Sequence, residues 1–159
     1  MTRRIGSYFY KDKKMSLEKV KLKVKLVMKD HQILNELLGQ ISIFLNEDTI
    51  KNNIDHVILV LNKITKTIDM HLKLEDEYIY PSLIACDIPH ISKTAKEFQK
   101  EMRTLSDQYK TFSQKWHSLD TIKNDLKVFT KELVEIVYSF SDRLDREEKE
   151  LYILLDEVD

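Results

Sequence analysis

His71 and Glu75 stand four residues apart, and Arg143 and Glu147 repeat that spacing 72 positions further on. Side chains at i and i+4 of a helix share one face a turn apart, so each pair aims a nitrogen group and a carboxylate at a common point. These residues also interrupt apolar stripes. The stripes run Leu17, Val20, Val24, Val27, His31, Leu34, Leu38, Ile41; then Val57, Leu61, Ile64, Ile68, His71, Glu75, Tyr78; and later Leu126, Phe129, Leu133, Ile136, Phe140, Arg143, Glu147. Alternating three- and four-residue spacing marks the face a helix turns towards its bundle partners. His31, His71, Glu75, Arg143 and Glu147 are therefore expected inside, where polar groups need partners. Two chemistries meet that need. Imidazoles and carboxylates from facing helices hold iron or manganese in bundle cores, and His31, His71, Glu75 and Glu147 form such a set of metal ligands. Alternatively the His, Glu and Arg side chains satisfy one another in a buried network that binds nothing.

The elements that must position these groups are helices. Only Gly6, Gly39, Pro81 and Pro89 supply turn chemistry, too little for a multi-stranded sheet. Helix 1 is expected from about 16 to 45 with Ser16 as N-cap, and helix 2 from about 53 to 80, stopped by Pro81. Helix 3 opens at Pro89 and Ser92 and carries a stripe free of charge: Ile91, Ala95, Phe98, Met102, Leu105, Tyr109, Phe112, Trp116. The link 117–121 leads to helix 4, which runs to about 155. Short links between long helices give an all-α, antiparallel up-down-up-down four-helix bundle over 16–159, preceded by a flexible basic leader at 1–15. Helices 2 and 4 repeat each other weakly, each placing a Tyr (Tyr80, Tyr152) five positions after its inward carboxylate.

Composition narrows the function classes. Lys and Arg number 26 against 27 Asp and Glu, so overall charge gives no reason to expect nucleic acid or an anionic membrane as partner. The ends differ, basic over 1–30 and acidic from Asp142 onward, which is either solvated helix ends or a surface for a protein partner. Cys86 is the one cysteine, so no intrachain disulfide forms, and a reducing cytoplasm is the expected home. His56, His90 and His117 lie off the stripes and read as surface residues, and Trp116 as core filling. A nucleophile–base pair, a phosphate loop and a strand-borne catalytic motif are all missing from the pattern, so metabolic catalysis has the least support.

The strings Lys29-Asp30-His31, His71-Leu-Lys-Leu-Glu75-Asp-Glu-Tyr-Ile-Tyr-Pro81 and Glu147-Glu-Lys-Glu-Leu-Tyr152 resemble the hemerythrin-like, or HHE cation-binding, proteins, along nearly the whole chain. The resemblance implies a four-helix bundle around a non-haem di-iron centre, used in relatives for oxygen binding, oxygen or nitric oxide sensing, iron handling or repair of damaged iron sites. It places His31, His71, Glu75 and Glu147 at ligand positions. Two further ligands are replaced. The helix 3 histidine falls near Phe98 or Gln99, of which the inward stripe favours Phe98, whose ring cannot ligate, and the helix 4 histidine falls on Arg143, which offers donors only. Full di-iron, single-metal and metal-free centres are the alternatives. In the last, Arg143 lies between Glu75 and Glu147 and supplies a metal's positive charge through hydrogen bonds.

A weaker resemblance, carried by Arg143-Leu-Asp-Arg-Glu147-Glu-Lys, the His71 segment and the length, is to the bacterial Rsd/AlgQ regulators, helical bundles that bind the principal sigma factor of RNA polymerase. The leading reading is a cytoplasmic hemerythrin-like protein with an altered centre that binds or senses a metal ion or a small gas ligand. The rival is a protein-interaction module whose polar network maintains the fold.

Overall fold

A computed structural model of the chain describes residues 16–157, and the leader expected at 1–15 lies outside the described residues. Ser16 caps α1 (Leu17–Ser42), its side chain accepting from the Lys19 N–H as the sequence predicts. Two short helices follow in sequence where links are expected: α2 (Glu47–Asn52), capped by Asn46, and α6 (Leu119–Asn124), opened by a capping box between Ser118 and Thr121. The long helices are α3 (Ile54–Leu74), α5 (Pro89–Lys115) and α7 (Leu126–Arg146), with α4 (Tyr80–Ile84) extending α3. No strand occurs among the described residues, and the fold is an all-α helical bundle.

Two departures from regular helix geometry matter. A π-helical turn over Glu75–Ile79 joins α3 to α4, and another over Glu147–Leu151 joins α7 to a terminal 3₁₀ segment, Tyr152–Glu157. In each, the amide five residues on, of Tyr80 or Tyr152, bonds back to the carbonyl of the glutamate. The added residue rotates the inward face. Ile79 and Tyr80 are buried while Tyr78, which the stripe places inside, is 42% exposed. It also widens the backbone ahead of Pro81, whose ring lacks an N–H, so the helix does not stop there but continues to Ile84.

The repeat between halves is far stronger in structure than in sequence. The bounds Glu47–Asn52, Ile54–Leu74 and Glu75–Ile79 recur 72 positions later as Leu119–Asn124, Leu126–Arg146 and Glu147–Leu151. The string Asp-Thr-Ile-Lys-Asn, at 48–52 and again at 120–124, is the sequence signal for this.

The core forms two apolar clusters. One holds Leu34, Leu38 and Ile41 of α1 with Ile64 and Ile68 of α3, Met102 and Leu105 of α5, and Phe140 and Leu144 of α7. The other holds Val20, Val24 and Val27 with Ile79, Tyr80, Ala95, Phe98, Leu151 and Tyr152. The charge-free stripe of α5 is buried throughout, as predicted. No described helix is long and apolar enough to cross a membrane. His56, His90 and His117 are exposed, as expected.

At the end of the bundle remote from the polar residues, Glu132 of α7 accepts from Trp116 Nε1 and Lys115 Nζ, both at 2.6 Å. Partial burial would raise the Glu132 carboxyl, but these hydrogen bonds outweigh it and hold the group below the usual carboxylate range. A depressed carboxyl stabilises the fold above its unfolded pKa of about 4.3, and that contribution disappears as pH falls through the lower folded value. Glu132→Gln should therefore lower stability by about 1 kcal/mol at pH 7 after solvent screening, with the gap to wild type closing below about pH 4. Urea unfolding of both proteins across pH 3–7 checks this.

Candidate metal centre

Between the two apolar clusters lies one polar layer. Each residue the stripes single out is found there: His31 of α1, His71 at the end of α3, Glu75 and Glu147 at the first positions of the π turns, and Arg143 near the end of α7. His31, Glu75 and Glu147 are fully buried, His71 and Arg143 nearly so. One ligand-capable atom from each of His31, His71, Glu75 and Glu147 lies within 4.8 Å of the other three. The sequence therefore identifies this cluster completely, because every member sits on a stripe that must face inward.

The imidazoles bring their Nε2 atoms together. His31 Nδ1 is 3.0 Å from Glu148 Oε1, so Nδ1 donates and Nε2 keeps its lone pair on the inward side. That Nε2 is 3.3 Å from His71 Nε2, which is itself 3.0 Å from Glu75 Oε1. Burial lowers the pKa of His31, against the opposing pull of Glu147, and lowers that of His71 likewise. Both rings are thus held towards the neutral form that a metal ligand requires.

The carboxyls show the opposite pressure. Burial raises Glu75, with its contacts to Glu147, Tyr152 and Arg143 opposing; burial and then the charge of Glu75 push Glu147 well above the usual range. The Tyr152 hydroxyl donates to Glu75 Oε1 and reaches Glu147 Oε2 at 2.9 Å, one proton serving two carboxyls. Glu75 Oε2 and Glu147 Oε1 have no hydrogen-bond partner. Two buried oxygens without donors fit a site that takes a cation, whose positive charge would satisfy both carboxylates.

Arg143 does not fill that role in the way the sequence predicts. It is expected between Glu75 and Glu147, bonded to both. Instead Nη1 donates to Glu101 Oε2 at 2.8 Å, and Nη2 donates to the Phe98 carbonyl and, at 3.3 Å, to the Tyr80 hydroxyl. The guanidinium lies 4.2 Å from the centre of the Phe98 ring. Only Nε approaches the carboxyls, 3.5 Å from Glu147 Oε1 and without hydrogen-bond alignment. The planar fork fixes the reason. Once two of its nitrogens face Glu101 and the α5 backbone, the group cannot also turn its donors to the glutamates.

Four further residues take part whose roles the stripes do not reveal. Glu148 lies off the stripe of α7, and it is the π turn that brings it to His31. Glu101 is half exposed on α5, where charge is ordinary. Tyr80 and Tyr152 are noticed as matched positions, but their hydroxyls reach the centre only because the two π turns rotate them inward. Replacing Tyr152 by Phe removes the donor to both carboxyls and should cost about 1.5–3 kcal/mol, the range for hydrogen bonds to charged groups. Urea unfolding of metal-free Tyr152→Phe tests this, and a loss under about 0.5 kcal/mol would mean that the hydroxyl does not support the glutamates.

The comparisons with known proteins agree with this geometry. No curated protein and no solved structure matches the chain. The hemerythrin HHE cation binding domain matches residues 22–155, from the second turn of α1 to the terminal 3₁₀ segment. That span covers all five residues of the polar layer, and of the two resemblances in the sequence it bears out the first. The chain belongs to the hemerythrin HHE cation-binding family.

Proposed function

We propose that the protein binds iron through His31, His71, Glu75 and Glu147 and uses the bound ion to bind or sense a small ligand. The observation that carries this is the convergence of four buried ligand atoms within 4.8 Å, two of the residues holding carboxylate oxygens without donors. Mixed imidazole and carboxylate donors suit iron among the transition metals, and iron is the ion the family resemblance implies. When bound, the ion supplies a Lewis acid with redox capacity at the level of the polar layer. The chain's residues do the rest. Neutral imidazoles and the two carboxylates hold the ion, Glu148 fixes the tautomer and orientation of His31, and Tyr152 holds the carboxylates in place.

Burial also limits the second partner. With the His and Glu ligands at most 1% exposed, a ligand reaching them must be of diatomic or similar size and arrive through fluctuations of the bundle. This favours a dissolved gas over a metabolite. A cation that binds only the folded state stabilises it by about 2.7 kcal/mol at a hundredfold excess over Kd, or about 2–4 °C in Tm per kcal/mol for a chain of this size. Adding ferrous iron anaerobically to metal-free protein should therefore raise Tm by roughly 5–10 °C. His71→Ala should weaken binding by about 100-fold or more, since loss of even an outer partner costs roughly 10–100-fold. Elemental analysis of aerobically purified protein, with the visible spectrum, is the direct check. Protein with neither bound metal nor a metal-dependent Tm would overturn the proposal.

A further inference from the structure

The internal repeat gives the centre two matched shelves. One presents His71, Glu75 and Tyr80 and the other, 72 positions on, Arg143, Glu147 and Tyr152. A centre built symmetrically on such shelves would offer nitrogen ligands on both sides of the two carboxylates and would hold two ions. Here the nitrogen ligands are confined to one side. His31 and His71 face each other at 3.3 Å, whereas the opposite shelf carries a guanidinium. We propose that the centre takes one metal ion, with the Arg143 guanidinium as a permanent positive charge in place of a second. This rests on the metal-binding reading above.

Three observations carry it. First, the second position lacks ligands. The buried residues of α5 are Ile91, Ala95, Phe98, Met102, Leu105, Tyr109 and Phe112, with no His, Asp, Glu or Cys among them, and arginine has no lone pair to give at any ordinary pH. Second, Arg143 is locked. Glu101, the Phe98 carbonyl and the Tyr80 hydroxyl hold its terminal nitrogens, Phe98 lies against its face, and Arg146 braces Glu101 from outside at 2.9 Å. Swinging it away to admit an ion would break its contacts with Glu101, Phe98 and Tyr80. Third, the ligand atoms converge on a single point. One atom from each of His31, His71, Glu75 and Glu147 lies within 4.8 Å of the other three, and Arg143 Nε already stands 3.5 Å from Glu147 Oε1. A second cation would have to sit against the guanidinium and share the same two carboxylates.

Equilibrium dialysis of the metal-free full chain against ferrous iron, and separately against manganese, followed by elemental analysis, reads the number directly. One ion per chain is expected for wild type. Two tightly bound ions would overturn the proposal, whereas none would overturn the metal-binding reading beneath it. Phe98→His combined with Arg143→His restores a nitrogen ligand on each of the two deficient helices and should raise the number towards two. A folded double variant that stays at one would refute the assignment of Arg143 and Phe98 as the limiting residues. Should that variant fail to fold, the electron paramagnetic resonance spectrum of manganese-loaded wild type decides alone. An isolated ion gives resolved hyperfine lines and supports the proposal, while the broadened spectrum of an exchange-coupled pair refutes it.

Discussion

Two carboxylates buried side by side set the terms for everything else in this bundle. Glu75 and Glu147 are fully out of water, burial raises both carboxyls, and the charge of Glu75 raises Glu147 further. Packing alone would favour apolar residues at this level, as in the clusters above and below it. The chain instead surrounds the pair with groups suited to negative charge: two imidazoles, a tyrosine hydroxyl and, at 3.5 Å, a guanidinium nitrogen. The donors present still leave one oxygen of each carboxyl unpartnered. A cation resolves that deficit, which is why the metal-binding reading accounts for the layer better than a self-satisfied network does.

The π turns are the device that makes the layer possible. A regular helix carrying an inward residue at 75 returns to the same face at 78 and 79, and it would aim Tyr80 elsewhere. The inserted residue keeps Glu75 inward and also buries Ile79 and Tyr80. The same step in the second half keeps Glu147 inward, seats Tyr152 against both carboxyls and sets Glu148 against His31. Irregular helix geometry is costly, and its appearance at matching positions, each opening on a glutamate of the centre, ties the irregularity to the site.

Divergence within the repeat separates two electrostatic roles. The first half carries an imidazole at this position, while the second carries a fixed cation paired with Glu101 on the neighbouring helix. Phe98 and Arg143, separately odd as replacements for ligands, are in direct contact, ring to guanidinium. Each explains the other. An aromatic face favours a cation beside it in a dry core, and the cation has no need of a ligand from α5.

The sequence alone determined the bundle and the members of its polar layer. Helical periodicity leaves no freedom about which residues face inward, so His31, His71, Glu75, Arg143 and Glu147 were legible from spacing, as was the whole α5 stripe. It also carried enough of the motif to resemble the correct family. It did not decide how Arg143 spends its donors, because that depends on Glu101 and a backbone carbonyl of another helix, 42 and 45 positions away along the chain. Nor did it reveal the π turns, which reassigned Tyr78 to solvent, carried the helix past Pro81 and brought Glu148 and the two tyrosines to the centre. Inward or outward is a property of one helix and its period, whereas partner choice at a buried charge is a property of four helices at once. Only the tertiary structure could decide it.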